Sequence, residues 1–276
     1  MASRFLLFFS VLFFSLPTHA ADYGAPETVQ YQSSALRGSI GLRYWYSQSH
    51  SDLDTGDFHW NSVDGVSSHT AELVGELEDT QSTAFARAYL GLGKNVDGEG
   101  NFRSYPSGPL EETTLAYVVV DGGWRLAQFA NDRVRLKGFV GYQFLNDGVK
   151  AEESSSILEQ TRHWHAIRLG MTVDADITER IGVSFDAAAV PWSYNRVDTP
   201  WSATRDESWR SAWTYGFEAD AMLNVDLTQN WQVGVGGRYW WLQSNFDRRY
   251  ISSGDKLVYE QNYQRYGLLL ESRYQF

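Results

Sequence analysis

Tyr266 to Phe276 reads YGLLLESRYQF, and this stretch decides the fold. Tyr266, Leu268, Leu270, Tyr274 and Phe276 fall on one parity. Gly267, Glu271, Arg273 and Gln275 fall on the other, with Leu269 and Ser272 as exceptions. A period of two, apolar one way and charged the other, is a β-strand lying between two unlike media. Aromatics at the end of such a strand suit an interface, where ring and polar group each find a suitable medium.

The segment resembles the terminal strand of outer-membrane barrels, in which a final aromatic is read by the assembly machinery. That resemblance implies the barrel assembly machinery as a partner through Phe276. The other end of the chain agrees. Met1 to Ala20 carries one early basic residue, Arg4, an apolar run from Phe5 to Leu16, then Pro17 and small residues at Thr18 and Ala20. This is the pattern of a secretory signal peptide cleaved after Ala20. The apolar run is too short for a membrane-spanning helix, so membrane insertion must use strands. The expected organisation is a signal peptide over 1–20, an N-terminal periplasmic segment over 21–37, and a barrel in the Gram-negative outer membrane over 38–276.

Composition narrows the functions. The chain has no cysteine, which removes disulfides and thiolate metal sites. Its formal net charge of −11 argues against a nucleic-acid partner. An aromatic fraction of 15%, with 11 Trp and 16 Tyr, fits the aromatic girdles of a membrane barrel.

Alternation recurs in ten segments, at about 38–49, 69–78, 82–93, 112–123, 132–145, 160–174, 179–192, 209–225, 231–242 and 266–276. In the fifth, Val134, Leu136, Val140, Tyr142 and Phe144 oppose Arg133, Arg135, Lys137 and Gln143. Short turns are expected at Asp79 to Gln81, Ala175 to Thr178 and Asp226 to Asn230. Val173-Asp-Ala-Asp-Ile-Thr-Glu and Val225-Asp-Leu-Thr-Gln-Asn look like repeats of one turn. Long polar loops are expected at about 50–68, 94–111, 146–159, 193–208 and 243–262. This asymmetry predicts an all-β, antiparallel, up-and-down transmembrane barrel of ten strands, within a range of eight to twelve. Its short turns would be periplasmic and its loops extracellular.

Several constellations bear on chemistry. Asp52-x-Asp54-x-Gly56-Asp57 is similar to a calcium loop, yet its glycine is one position early and Val63 stands where a bidentate acid belongs. A solvated acidic loop is the better reading. His163 and His165 share a face and would suit zinc, but lack an acidic or third His partner nearby, so an aromatic-belt role is favoured. No cofactor or metal is expected. Glu218 and Asp220 share an inward face, where Arg43, Arg135, Lys137, Arg238 and Arg273 are available to pair them. No Ser–His arrangement has a distinctive local motif. Trp60, Tyr105, Trp192, Tyr194 and Trp201 are either binding anchors in the loops or markers of the outer girdle.

The order of segments resembles the omptins, the ten-stranded outer-membrane protease family, from about Gly38 to Phe276. The local echoes are Gly91-Leu-Gly-Lys94, Leu115-Ala-Tyr117 through Asp121 with Trp124, and Arg135 to Phe144 (RLKGFVGYQF). Gln261-Asn-Tyr263 leading to Arg273-Tyr-Gln-Phe276 completes the set. The resemblance implies contact with lipopolysaccharide. It also implies catalysis by an Asp-x-Asp pair and an Asp-x-His pair at the barrel mouth. Here Phe102 and Ser104 stand at the first pair, and Asp198 and Pro200 at the second. Asp97 and Glu99 are the substitute acids, leaving Asp198, Asp97 and Glu99 as candidate catalytic residues. No histidine follows His165, and a positioned general base contributes roughly 10²–10⁴-fold. The expected function is therefore a non-proteolytic surface scaffold or binding protein, with a divergent surface hydrolase and a small pore as alternatives.

Overall fold

Two turns with the same hydroxyl device set the short-turn end of the barrel. In the computed structural model, Thr178 Oγ1 accepts from the amides of Arg180 (3.2 Å) and Ile181 (3.0 Å). Thr228 Oγ1 does the same for Asn230 (3.3 Å) and Trp231 (3.0 Å). A threonine three residues before the start of the return strand supplies the acceptor that a tight turn otherwise lacks. Asp79 plays this part in another turn, accepting from Gln81 N at 3.0 Å and Ser82 Oγ at 2.6 Å. The structure describes residues 36–55, 58–102, 105–153, 156–201, 205–249 and 256–276. The expected signal peptide and most of the N-terminal segment lie outside them.

The strands are β1 (Leu36–Thr55), β2 (Phe58–Asp79), β3 (Ala84–Asn95), β4 (Glu99–Phe102), β5 (Tyr105–Pro109) and β6 (Thr113–Phe129). There follow β7 (Val134–Glu153), β8 (Ser156–Asp176), β9 (Ile181–Trp201), β10 (Arg205–Asp226), β11 (Trp231–Arg249) and β12 (Lys256–Gln275). Ten of them form a closed antiparallel barrel in the order β1-β12-β11-β10-β9-β8-β7-β6-β3-β2, with β2 returning to β1. At the seam Gly38 and Phe276 exchange two backbone hydrogen bonds of 2.9 Å each. β4 and β5 are an added hairpin, with β4 on β2 and Leu110 bridging to Ala151. The hairpin continues the wall between β2 and β7 above the point where β3 and β6 stop.

Parity sorts the side chains as period two requires. Ile40, Leu42, Leu90, Val140, Leu169, Val235, Leu268 and Leu270 lie exposed on the outer face. Leu269, which breaks the terminal alternation, is wholly buried inside. Above this apolar band sit Tyr44 with His69, and Tyr142 and Phe144 with His165. Trp231 and Tyr274 meet edge to face below it. From Tyr266 to Tyr274 the strand runs on the order of 26 Å at ~3.3 Å per residue, which at a tilt of about 40° spans roughly 20 Å of the ~25 Å apolar band of such a barrel.

Two expectations need correction. The segments expected as long loops are largely strand: β1 and β2, β7 and β8, β9 and β10, and β11 and β12 continue through them. Once a strand rises past the membrane, water lies on its outer face. The apolar–polar alternation then fades although the ladder continues. The fourth expected strand also ended too early, at Gly123. β6 continues to Phe129 past a register shift between Arg125 and Ala127, which disturbs the alternation. Its turn then places Ala130, Asn131 and Asp132 at φ of 54°, 55° and 67°.

Candidate functional site

The inward parity of the membrane band carries several groups of ion pairs. Arg238 on β11 donates to Asp220 through Nε (2.9 Å) and Nη2 (2.7 Å), and to Glu72 through Nη1 (2.7 Å). Arg43 on β1 donates to the other Glu72 oxygen (2.8 Å) and to Glu271 (2.7 Å). Tyr117 Oη donates to Glu72 at 2.6 Å. Beside this group, Arg168 donates to Glu218 (2.7 Å) and Asp121 (2.6 Å), and Arg87 to Asp121 (2.9 Å) and Asp186 (2.6 Å). Lower down, Lys137 pairs with Glu76 (2.8 Å) and Asp174 (3.2 Å), and Arg273 with Glu271 (2.7 Å). Arg135 pairs with Asp176 at 2.8 Å near the short-turn rim. The buried ions of the middle groups persist away from water only with such geometry.

Aromatic side chains cover these groups. Trp45, Tyr117 and Trp240 meet edge to face with centroids 4.8–5.8 Å apart, and Arg238 lies 5.0 Å from the Trp45 ring centre. Trp164 and Tyr263 continue the layer at 4.8 Å. The middle of the barrel is thus solid.

Above the aromatic layer the lumen is polar. Arg265, fully buried, donates to Asp147 (3.1 Å), to Ser68 (2.5 Å), to Ser47 and Ser49 (3.1 Å each) and to Tyr263 (2.7 Å). Asn95 donates to Asp147 at 2.7 Å. Asn195 bridges Ser244 and Gln261, each at 3.1 Å. Over part of the mouth, Phe102 of β4 packs with Val63, Val66 and Val149, with Leu110 and Ala151 against them.

The candidate catalytic residues are not assembled. Asn195 is wholly buried inside, so Asp198, three positions on, takes the outer parity. There it accepts from Arg196 Nε at 2.7 Å and lies 3.7 Å from His163 Nε2. This corrects the expectation that His163 has no acidic neighbour. Asp97 and Glu99 are exposed at the β3–β4 junction beside β2, separated from β9 by β8, β7, β6 and β3 around the barrel. Phe102, at an expected acid position, is part of the apolar plug. Ser104 and the side chain of Pro200 lie outside the described residues.

The calcium-like segment is also corrected. Asp52 and Asp54 are strand residues of β1, while Gly56 and Asp57 fall outside the described residues. His50 sits at a bulge where β1 slips against β2, between the pairs Ser49–Val66 and Ser51–Val63. Its ring nitrogens engage Asp52 (2.5 Å) and Asp64. Burial opposes the charge on His50, but the two carboxylates outweigh it and hold the imidazole above its ordinary pKa. Among the described residues, no group of three or more His, Asp or Glu is arranged to hold a metal ion.

Glu218 and Asp220 are paired as their inward parity predicts, but Glu218 takes Arg168, which lies on the inward parity of β8 and was not among the expected partners. Arg87 and Arg265 were missed likewise. Each shares parity with inward aromatics, Phe85 and Tyr89 for Arg87 and Tyr263 for Arg265, and that was the available signal. Trp192 is exposed and Tyr194 touches His165 at 6.3 Å, which places both in the outer girdle. The side chains of Trp60, Tyr105 and Trp201 are outside the described residues.

No protein-family model matches the chain, and no curated protein matches it by sequence. Solved structures do. The outer membrane protease OmpT of Escherichia coli matches over 91% of this chain and 99% of its own, with a TM-score of 0.56 at 10% identity. The chain is an outer-membrane β-barrel. Looser matches include the translocator domain of the autotransporter NalP of Neisseria meningitidis, with TM-score 0.42, 13% identity and coverage of 90% and 91%. Ail, the attachment invasion locus protein of Yersinia pestis, matches with TM-score 0.33, 11% identity and coverage of 87% and 99%. At these identities the likeness establishes the fold and leaves activity to the residues themselves.

Proposed function

We propose that this omptin-like barrel is a non-proteolytic surface scaffold that binds extracellular ligands. The observation that carries the reading is the contrast between a tall wall and a mouth at which the candidate catalytic residues are not brought together. β12 begins at Lys256, ten residues before the girdle residue Tyr266. That is roughly 33 Å of strand at ~3.3 Å per residue. Such a wall presents a large, rigid surface. At the mouth, Asp198 faces outward and Phe102 is packed in an apolar plug. Neither is placed to activate a water between strands.

Lipopolysaccharide is the proposed lipid partner. Arg196, which donates through Nε to Asp198, stands exposed on the outer face beside His163, and its remaining guanidinium N–H groups would meet an acidic headgroup. Phe276, paired to Gly38 at the seam, is the proposed signal to the assembly machinery. The pore reading finds less support, because Trp45, Tyr117, Trp240 and the ion pairs beneath them occupy the lumen.

Binding is tested with outer-membrane vesicles displaying the full chain, offered to arrayed glycans and peptides. Retention is expected above that of empty vesicles, and it should fall when the β4–β5 hairpin is replaced by a short Gly-Ser linker. Retention no better than that of empty vesicles contradicts the scaffold reading.

A further inference from the structure

Among the lumenal cations, Arg162 of β8 is anomalous. It is 4% exposed, yet no described residue accepts a hydrogen bond from it, and its Nε is buried without a partner. Asp147 lies directly across in the β7–β8 register. Its carboxylate is already taken, by Arg265 at 3.1 and 3.2 Å and by Asn95 at 2.7 Å. Arg162, Arg265 and Asp147 therefore leave one positive charge in surplus. An uncompensated charge buried this deeply is strongly unfavourable, and natural interiors supply it with a counter-charge.

The surroundings have the same gap. Trp164, two residues along the same inward face, has its indole N–H buried without an acceptor. On β7, both amide atoms of Gln143 are buried and unpartnered. The Trp164 and Tyr263 rings stand 4.8 Å apart beside them as an apolar wall.

We propose that Arg162 anchors an internal site, in the extracellular half of the lumen, for the carboxylate of a small ligand. The guanidinium fork matches a carboxylate through two parallel hydrogen bonds. One surplus charge suits a monoanion, where a phosphate dianion would be left half compensated. The adjoining Trp164 and Tyr263 rings receive the apolar part of the ligand. The inference deepens the binding reading above and rests on it, since the ligand is taken up from outside the cell.

The probe is acetate. The refolded full chain in detergent micelles is titrated with sodium acetate against sodium chloride, at constant total sodium and at pH 7, while its thermal unfolding midpoint is followed. A saturable rise of about 3 °C specific to acetate is expected. Arg162→Gln should abolish the response, and Arg162→Lys, which keeps the charge but loses the fork, should weaken apparent affinity about tenfold. A wild-type midpoint that moves equally in acetate and chloride overturns the proposal without any variant having to fold. So does an acetate response that persists in Arg162→Gln. An equal or larger response to phosphate overturns the assignment to a carboxylate. Retention of vesicles on arrayed ligands can survive a flat acetate titration, so the two readings fail separately.

Discussion

Replacing Arg238 by methionine removes the cation that ties Asp220 and Glu72 together and keeps most of the side-chain volume. Breaking a buried pair by removing one partner costs about 3–5 kcal/mol, because the other charge is left without compensation. Arg43 remains 2.8 Å from Glu72 and 3.8 Å from Asp220, which favours the lower end. The cation also lies 5.0 Å from the Trp45 ring centre and 5.2 Å from that of Trp240. That stacking contributes about 1 kcal/mol more. The expected loss is about 4 kcal/mol, read as a lowered urea midpoint of the refolded barrel in micelles. Adding Asp220→Asn should restore part of it, since the neutral amide needs no counter-charge. A loss below about 1 kcal/mol, or a double variant no more stable than the single, refutes the view that the lumen is held by this network.

Three further outcomes follow from the geometry. His50 has its pKa raised in the folded chain, so its protonated form stabilises the rim. That stabilisation is complete below the unfolded value of about 6.5 and is lost as pH rises through the folded value. Amide exchange at Val63 and Val66 should therefore quicken, beyond its intrinsic dependence, as pH is raised from 6 to 9, and the effect should be absent in His50→Gln. A Cβ on Gly267 would run into the carbonyl of Tyr46 and the backbone of Ser47 across the β12–β1 seam. Gly267→Ala should then lower stability by about 1–3 kcal/mol in the same urea assay, and a neutral result would contradict the seam packing. In planar bilayers the wild-type barrel should give no discrete conductance steps, whereas stable steps would show that the lumen is not filled.

The parts of this molecule that lie between lipid and a filled lumen were legible in the sequence. β12 could be read residue by residue because its outer face meets hydrocarbon, and the inward positions of Arg43, Lys137, Glu218 and Asp220 followed from the same alternation. Even Leu269, an exception to the pattern, is explained by the aromatic and aliphatic layer it joins. The upper half was hidden for a physical reason. Where water lies on the outer face, Asp52, Asp54 and Asp198 can stand on strands with no alternation to reveal them. The role of Phe102 depended on a hairpin that bridges β2 and β7, a pairing between distant segments with no local signature. Arg162 could be assigned to the inward face by parity with Trp164. Its lack of a hydrogen-bond partner among the described residues could not, since that depends on where the side chains of Arg265 and Asn95 reach from β12 and β3.

Cleavage of a fluorogenic peptide bearing a dibasic site tests the central claim most directly. The refolded full chain is assayed with lipopolysaccharide present and folding verified by heat-modifiable gel mobility. The account predicts no turnover above that of buffer with lipopolysaccharide, and no difference between the wild type and Asp198→Asn. Turnover that co-purifies with the folded barrel and is lost in Asp198→Asn would contradict it.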